Sequence, residues 1–292
     1  MMRRLSDSAL PVLTVVAALI AIWYAAALAL NWQVVSDTLA RSGTPPSAWQ
    51  VAEGTMSFAR PLLPAPHQIV GELWRSLVLT PPSSARSLVW HGWVTLSAAL
   101  AGFVLGVTAG VVVAVAIVHL RALERSLMPW VIASQAVPIL ALAPIIIVAL
   151  GAIGFEGLFP KAVIAGYLCF FPVTIAMTKG LTAADRLQTD LMRTYSASPA
   201  QVFWKLRLPT SLPFLFASLK VAAAASLVGA IVAELPTGAQ AGLGARLLAG
   251  SYFGQTVQIW AALVVAAVLS ASLVGLLGLL ERAVGRRLGA RA

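Results

Sequence analysis

Charge is scarce in this sequence. Asp, Glu, Lys and Arg make up only 10% of its 292 residues, where a soluble chain carries about a quarter. The single cysteine, Cys169, excludes a disulfide within the chain and leaves the redox compartment unreadable. Histidine is also sparse, with three residues. His67, His91 and His119 lie too far apart to be the paired helix-face ligands of a zinc peptidase, and no metal site is expected. The lysines are Lys161, Lys179, Lys205 and Lys220, and none closes a Gly-x-x-x-x-Gly-Lys motif before Ser or Thr. Without a lysine placed to reach terminal phosphates, nucleotide hydrolysis by this chain alone is excluded. No serine is framed as Gly-x-Ser-x-Gly, the nucleophile elbow. The sequence therefore offers no catalytic residue and no cofactor bound by the chain itself.

What the chain has instead is apolar length. Hydrophobic residues make up 60% and mean hydropathy is +0.90. A helix needs about 20 mostly apolar residues to cross the hydrocarbon core. Six segments qualify, near 10–30, 93–118, 128–150, 162–178, 213–233 and 257–280, the fourth short enough to tilt little. In lipid only helices or a closed barrel satisfy the backbone. These runs are continuous rather than alternating with period two, which favours helices. The expected fold class is an all-α membrane protein with six transmembrane helices.

The net charge of +10 invites a nucleic-acid reading, which its distribution opposes. With the N-terminus in the cytoplasm and six spans threaded, the cytoplasmic segments hold Arg3, Arg4, Arg121, Arg125, Lys179, Arg186, Arg193, Lys205, Arg207, Arg282, Arg286, Arg287 and Arg291, which is 13 of the 20 basic residues. The outer segments, longer in total, hold Arg41, Arg60, Arg75, Arg86, Lys161 and Arg246, and Lys220 falls within the fifth span. This positive-inside bias places both termini in the cytoplasm. No aromatic-basic platform accompanies the charge, so no nucleic-acid partner is expected. The N-terminal MMRR and its apolar run mimic a signal peptide, but a run of about 20 residues exceeds a usual signal core, and a retained first span is expected.

Two parts are expected: residues 1–91, a first transmembrane helix with an outer, interfacial segment, and residues 92–292, a core of five transmembrane helices. The outer segment contains TPPSAW and the proline-punctuated RPLLPAPHQ, then a short helix over 67–79 that Pro64 and Pro66 keep from extending backward. Trp32, Trp49, Trp74, Trp90 and Trp93 gather there, as a membrane-interface belt or as a docking surface for a soluble partner. The glycine-rich stretch 236–255 lacks a phosphate-cradle lysine and reads as a turn with an interfacial or re-entrant helix.

The most polar insertion is the cytoplasmic loop of about 179–212, whose centre reads DLMRTYSASPAQVFWKLRLP. Leu187, Leu191, Met192 and Tyr195 share one helical face, and the helix should stop near Ser196. A second start follows at once. Ser198 caps, Pro199 suits the first helical position, and Gln201 completes a capping box. Val202, Phe203 and Leu206 form its apolar side, Leu208 and Pro209 end it, and Pro213 opens the fifth span. On physics alone the pair is either a hairpin lying on lipid or a rigid knob for a groove on a cytoplasmic partner.

A family resemblance separates these readings. The stretch resembles the "EAA loop" of bacterial ABC importer permeases: Glu-Ala-Ala, three residues, Gly, nine residues, a hydrophobic residue, any residue, then Leu-Pro. Asp190 matches the acidic position, Leu191 and Met192 replace the alanines, and Phe203, Leu206, Leu208 and Pro209 fall on the later positions. Ser196 stands where glycine is usual. A left-handed turn residue is costlier for serine than for glycine, so the turn is expected to be tighter or shifted to Ala197. LLPAPHQIVGELW, HGWVTLSAALAGFVLGVTAGVVVAV and SQAVPILALAPIIIVALG resemble segments of the nitrate, sulfonate and taurine importer subgroup, and the likeness covers roughly 62–287.

The resemblance implies a multi-pass permease of the bacterial plasma (inner) membrane, surrounded by lipid. It would pair with a second permease subunit, most simply an identical one, and receive solute from a periplasmic or extracellular binding protein. Two cytoplasmic ABC ATPase subunits would carry ATP and magnesium. Ser196, Ala197, Ser198, Pro199 and Ala200 would form the coupling turn in the ATPase groove, with Asp190, Arg193 and Phe203 contacting it or holding its shape. The solute would be nitrate, a sulfonate, taurine or a related small polar molecule, with a pyrimidine-type heterocycle as a further option.

Pathway candidates come from polar or helix-breaking residues within spans. Pro138 and Pro144 interrupt the third span, with Gln135 one turn before; this is a kink at a gate or an accommodation to packing. Glu234 is costly if it faces lipid, and reads as an ion pair with Lys161 or Arg246 or as a gate residue. Ser226, Tyr167, Thr174 and Thr178 are further pore candidates, whereas Gly102, Gly106 and Gly110 suit close helix packing. The alternatives are a secondary transporter or channel without an ATPase, whose inverted repeats are not seen, and an intramembrane enzyme, which lacks a catalytic cluster.

Overall fold

The computed structural model describes residues 2–41, 46–236 and 239–287. The start of TPPSAW and part of the glycine-rich stretch lie outside the described residues, as do Arg291 and the side chains of Arg3, Arg4, Arg121 and Arg287. The described residues are helical with no strand. Among the described residues, five helices are long and apolar enough to cross a membrane: Leu10–Ala40, Leu88–His119, Leu158–Thr182, Pro199–Glu234 and Thr256–Arg286. The remaining expected segment, the third, near 128–150, is a pair of helices, Ala122–Ser134 and Ile139–Ala152, bent by 105°.

The elements run α1 (Met2–Ala40), α2 (Ala48–Ser57), α3 (Pro66–Trp74, continued by a π-turn Arg75–Leu79), α4 (Leu88–His119), α5 (Arg121–Ser134), α6 (Ile139–Ala152), α7 (Leu158–Thr182), α8 (Arg186–Thr194), α9 (Pro199–Val202), a second π-turn (Phe203–Arg207), α10 (Leu208–Glu234), α11 (Leu243–Tyr252) and α12 (Thr256–Arg287). Two compact units result: Met1–Trp90 with Arg246–Val264, and His91–Ala245 with Val265–Ala292.

In the first unit, side chains satisfy a backbone that its prolines keep irregular. The buried Asn31 of α1 donates to Leu63 O at 2.8 Å and accepts from Leu62 N at 2.6 Å. Trp23 Nε1 donates to Pro64 O at 3.1 Å, and the Thr256 hydroxyl donates to Pro61 O. Trp23 also packs on Trp260 with ring centroids 4.9 Å apart. These bonds tie RPLLPAPHQ to α1 and to the start of α12. The short helix expected over 67–79 is α3 with its π-turn, opening on Pro66.

In the second unit α7 is the central helix. Its buried residues Cys169, Val173, Met177 and Leu181 meet Ala114 of α4 and Ala222 of α10. The approach is close because small residues line it. A Cβ on Gly102 would lie 2.4 Å from the Ala165 Cβ, and one on Gly106 would lie 2.3 Å from the Gly166 carbonyl oxygen. Where no hydrophobic drive separates helix from lipid, such backbone-to-backbone packing supplies the association. The α7 helix has 25 residues, longer than the short fourth span expected, and spans with room to tilt.

Two expectations about proline need correction. The expected helix stop at Leu208 and Pro209 is absent: the helix runs from Pro199 to Glu234. At the π-turn Leu208 N bonds to Phe203 O, one residue farther back than in an α-helix. That wider turn gives the Pro209 ring room beside the preceding carbonyls and absorbs its missing donor. The interruption at Pro138 is a full break rather than a kink. Gln135, Ala136 and Val137 close onto Ile132, Ala133 and Ser134 through i−3 bonds of 3.0–3.3 Å, and Pro138 then starts α6 in extended conformation. Pro144 lies inside α6 without breaking it.

Candidate functional site

The connection between α7 and α10 folds as a capped hairpin. Asp185 caps α8, its carboxylate accepting from Leu187 N at 3.2 Å. The helix ends in a Schellman arrangement: Ala197 N donates to Met192 O at 3.0 Å and Ser196 N to Arg193 O at 2.9 Å. Ser196 is left-handed, with φ of +52°, and no other non-glycine described residue has a positive φ. The turn is therefore neither tightened nor shifted to Ala197. Serine takes the conformation that glycine adopts at least cost.

Two residues later the expected capping box is present. Gln201 N donates to Ser198 Oγ at 3.3 Å, Ser198 N donates to Gln201 Oε1 at 2.8 Å, and Pro199 sits at the first helical position. Ala200 is exposed beside them. Both sides of the turn are thus fixed by local hydrogen bonds. The hairpin carries an exposed face, with Leu187 77%, Leu191 55% and Tyr195 78% accessible. Asp190 and Arg193 form an exposed ion pair at 3.0 Å within α8, an interaction that contributes little to stability but orients the guanidinium.

Phe203 points the other way. It packs on the α4–α7–α10 core and against His119, the last residue of α4, at 5.3 Å between ring centroids. Sequence reasoning missed His119 as its partner. The only signal was a ring at the end of a mostly apolar helix.

At the far end of α10, Glu234 is fully buried. Thr95 Oγ1 donates to its carboxylate at 2.9–3.0 Å, Gly244 N donates to Oε2 at 2.8 Å, and Lys161 Nζ lies 3.8 Å from Oε1. Of the two basic partners considered, Lys161 makes the pair. The same network anchors the following loop, since Leu243 N donates to Thr95 Oγ1 at 2.7 Å and Gly242 N to His91 Nδ1 at 3.0 Å. Gly242 has φ of +125°, and a Cβ there would lie 2.2 Å from the Glu234 carboxyl carbon. Glu234 is a latch between α4, α7, α10 and this loop. Thr95 and His91 escaped sequence reasoning because the first lies 139 residues from its partner and the second 151.

The helix break borders an open cleft of about 530 Å³. Of the pathway candidates it brings together Gln135 and Tyr167, with Pro138 closing the break beside them. Tyr167 donates its hydroxyl to Ser134 O at 2.7 Å, holding the end of α5 on α7. Phe171, Phe214 and Lys179 complete the parts of the wall that bear on chemistry. The remaining candidates are not brought there. Thr174 and Ser226 are fully buried, with hydroxyls turned to Phe170 O and Ala223 O of their own helices, and Thr178 bonds to Thr174 O in the same way. A hydroxyl in a span satisfies itself on the preceding turn at no cost in packing, so its polarity alone does not mark a pore. Glu234 belongs to the latch rather than to the cleft wall. Among the described residues there is no group of three or more His, Cys, Asp and Glu that could hold a metal ion.

With this geometry in place, the chain can be compared with known proteins. The family pattern described as "Binding-protein-dependent transport system inner membrane component" matches residues 84–289. The riboflavin transport system permease protein RibX of Chloroflexus aurantiacus is 32% identical over 80% of this chain and 83% of its own length. The formylaminopyrimidine transport permease protein ThiX of Halalkalibacterium halodurans is 31% identical over 63% of this chain and 68% of its own. The nitrate import permease protein NrtB of Leptolyngbya laminosa is 25% identical over 65% and 66%.

Proposed function

Because the chain belongs to the binding-protein-dependent transport system inner membrane component family, we propose that its α8–α9 hairpin is the element through which a separate ATPase drives import of a small solute. The chain is the permease, an all-helical membrane subunit of an ABC transporter. The observation that carries the proposal is mechanical. The hairpin is capped at both sides of its turn and runs without a stop from Pro199 into the span ending at Glu234. Its Leu187, Leu191 and Tyr195 face outward, while Phe203 is seated on α4 and α7.

Force on such a knob moves α10 as a rod and α4 through His119. ATP-driven closure of a partner biases the permease only if the knob binds its two states differently, and a stiff hairpin transmits that difference as rigid-body motion. The positive-inside bias supports a cytoplasmic hairpin and cytoplasmic termini in a bacterial inner membrane. On this reading ATP and magnesium sit on the ATPase, a solute-binding protein delivers from the opposite face, and two copies of this chain enclose the path.

The cleft at the helix break supports one choice of solute. A small inorganic anion needs several convergent donors. Here the Tyr167 hydroxyl is spent on Ser134 O, leaving the Gln135 amide and the Lys179 ammonium as free donors. Tyr167, Phe171 and Phe214 offer aromatic surface instead, and a cleft of about 530 Å³ is of the size that holds a planar heterocycle. The permeases named for riboflavin and formylaminopyrimidine point the same way.

The test separates contact from transmission. Leu191→Asp should abolish co-purification of the ATPase. Phe203→Ala should leave the ATPase bound but uncouple hydrolysis from uptake in proteoliposomes. Normal pairing and transport in both variants would remove the coupling role. Uptake of a labelled flavin or aminopyrimidine, in preference to taurine and nitrate, checks the solute.

A further inference from the structure

A second groove, of about 800 Å³, lies between the start of α10 and the end of α12. Its walls are apolar: Leu212, Pro213 and Phe216 from α10 and Val284 from α12. Two cations border it, Arg282 and Arg286, one turn apart on the same face of α12. Its one acidic residue, Glu281, is already neutralised by Lys220 of α10, at 2.5 Å. Arg286 Nε donates to Arg282 O at 3.3 Å. Neither arginine has an acidic partner among the described residues. Two like charges at this spacing repel, so the chain leaves an unfavourable pair that an anion between them would relieve.

The groove sits where both helices change character. The apolar run LVGLLGLL of α12 ends at Glu281 and Arg282, and the apolar run of α10 begins near Leu212. Its wall therefore meets hydrocarbon at one end and headgroups at the other. Guanidinium groups bind phosphate oxygens bidentately, and basic pockets between spans on the cytoplasmic side suit anionic lipid headgroups. We propose that this groove binds an anionic phospholipid of the leaflet on the hairpin's side. The phosphate lies between Arg282 and Arg286, and an acyl chain lies along Leu212 and Phe216. The proposal rests on reading the chain as a membrane permease. It adds a consequence: α10 leaves the hairpin through the π-turn Phe203–Arg207, so a lipid seated on Pro209 and Pro213 braces the first turns of the rod that the hairpin pushes.

Native mass spectrometry of the full chain, released from nanodiscs of phosphatidylethanolamine with phosphatidylglycerol, tests this. The native chain should retain phosphatidylglycerol preferentially. Each basic residue near an anionic surface contributes roughly fivefold, so Arg282→Gln with Arg286→Gln should weaken retention about 30-fold. Arg125→Gln, a basic residue of α5 lining a different cleft, should leave it unchanged. ATPase pairing is measured on the same samples. A native chain that pairs with its ATPase but shows no preference for phosphatidylglycerol overturns the lipid site and leaves the permease reading standing. Equal loss from Arg125→Gln makes the effect one of general surface charge and also overturns it. Retention seen only after removal of residues 288–292 makes that tail the occupant, and the lipid site is again overturned. Failure of ATPase pairing with lipid selectivity intact strikes the coupling reading instead.

Discussion

Ser196→Gly should tighten the hairpin, and Ser196→Val should open it. Ser196 holds φ of +52°, a conformation that costs an L-residue about 1–2 kcal/mol. Glycine removes that cost but loses more backbone freedom on folding, about 0.5–1 kcal/mol. The net gain is about 0.5–1 kcal/mol, or roughly two- to fivefold in the closed-turn population. Nothing offsets it, since among the described residues the Ser196 hydroxyl makes no hydrogen bond. Valine branches at Cβ and adds about 1–2 kcal/mol of strain, lowering the closed population roughly five- to thirtyfold. The reporters are the Ser196 and Ala197 amides, which donate to Arg193 O and Met192 O only in the closed turn. Hydrogen exchange of those two amides in nanodiscs should slow for glycine and quicken for valine. ATPase co-purification should follow in the same order. Unchanged exchange in Ser196→Val, or faster exchange in Ser196→Gly, would refute the assignment of strain to this residue.

The latch and the helix seam give two more outcomes. Glu234→Ala leaves the Thr95 hydroxyl, the Gly244 amide and the Lys161 ammonium without their acceptor. Breaking a buried pair costs about 3–5 kcal/mol, so the melting temperature should fall by roughly 10 °C, with Glu234→Gln falling less; a melting curve matching the native one would deny the latch. Gly106→Val places a side chain 2.3 Å from the Gly166 carbonyl oxygen and should cost at least about 1–3 kcal/mol by forcing α4 from α7. Gly151→Ala, with nothing within 4 Å, should be neutral in the same melting assay.

Much of this molecule can be read before folding is considered. Apolar run length alone locates the spans, because lipid admits few alternatives to a helix. Ser198, Pro199 and Gln201 announce a helix start because capping is local chemistry. What is not local is not legible. Pro138 marks an interruption, but neither its 105° bend nor the bond from Tyr167 of another helix to Ser134 beside it is written in the local sequence. Pro209 reads as a stop, yet a π-turn five residues long carries the helix past it. Thr174 and Ser226 look like pore residues because a sequence does not show that a hydroxyl bonds to its own backbone. Glu234 is conspicuous alone, while Thr95 and His91, which complete its network, are inconspicuous in a long apolar run.

The central claim is that an ATPase grips the 196–200 turn. Cys169 is fully buried, so a cysteine introduced at exposed Ala200 is the accessible thiol for a short crosslinker. In membranes containing the assembled transporter, Ala200→Cys should crosslink to the ATPase, with a yield that changes when nucleotide is added. Glu156→Cys, at the other end of α7, should give no such product. A functioning transporter with no crosslink from Ala200, or one from Glu156 instead, would contradict the account.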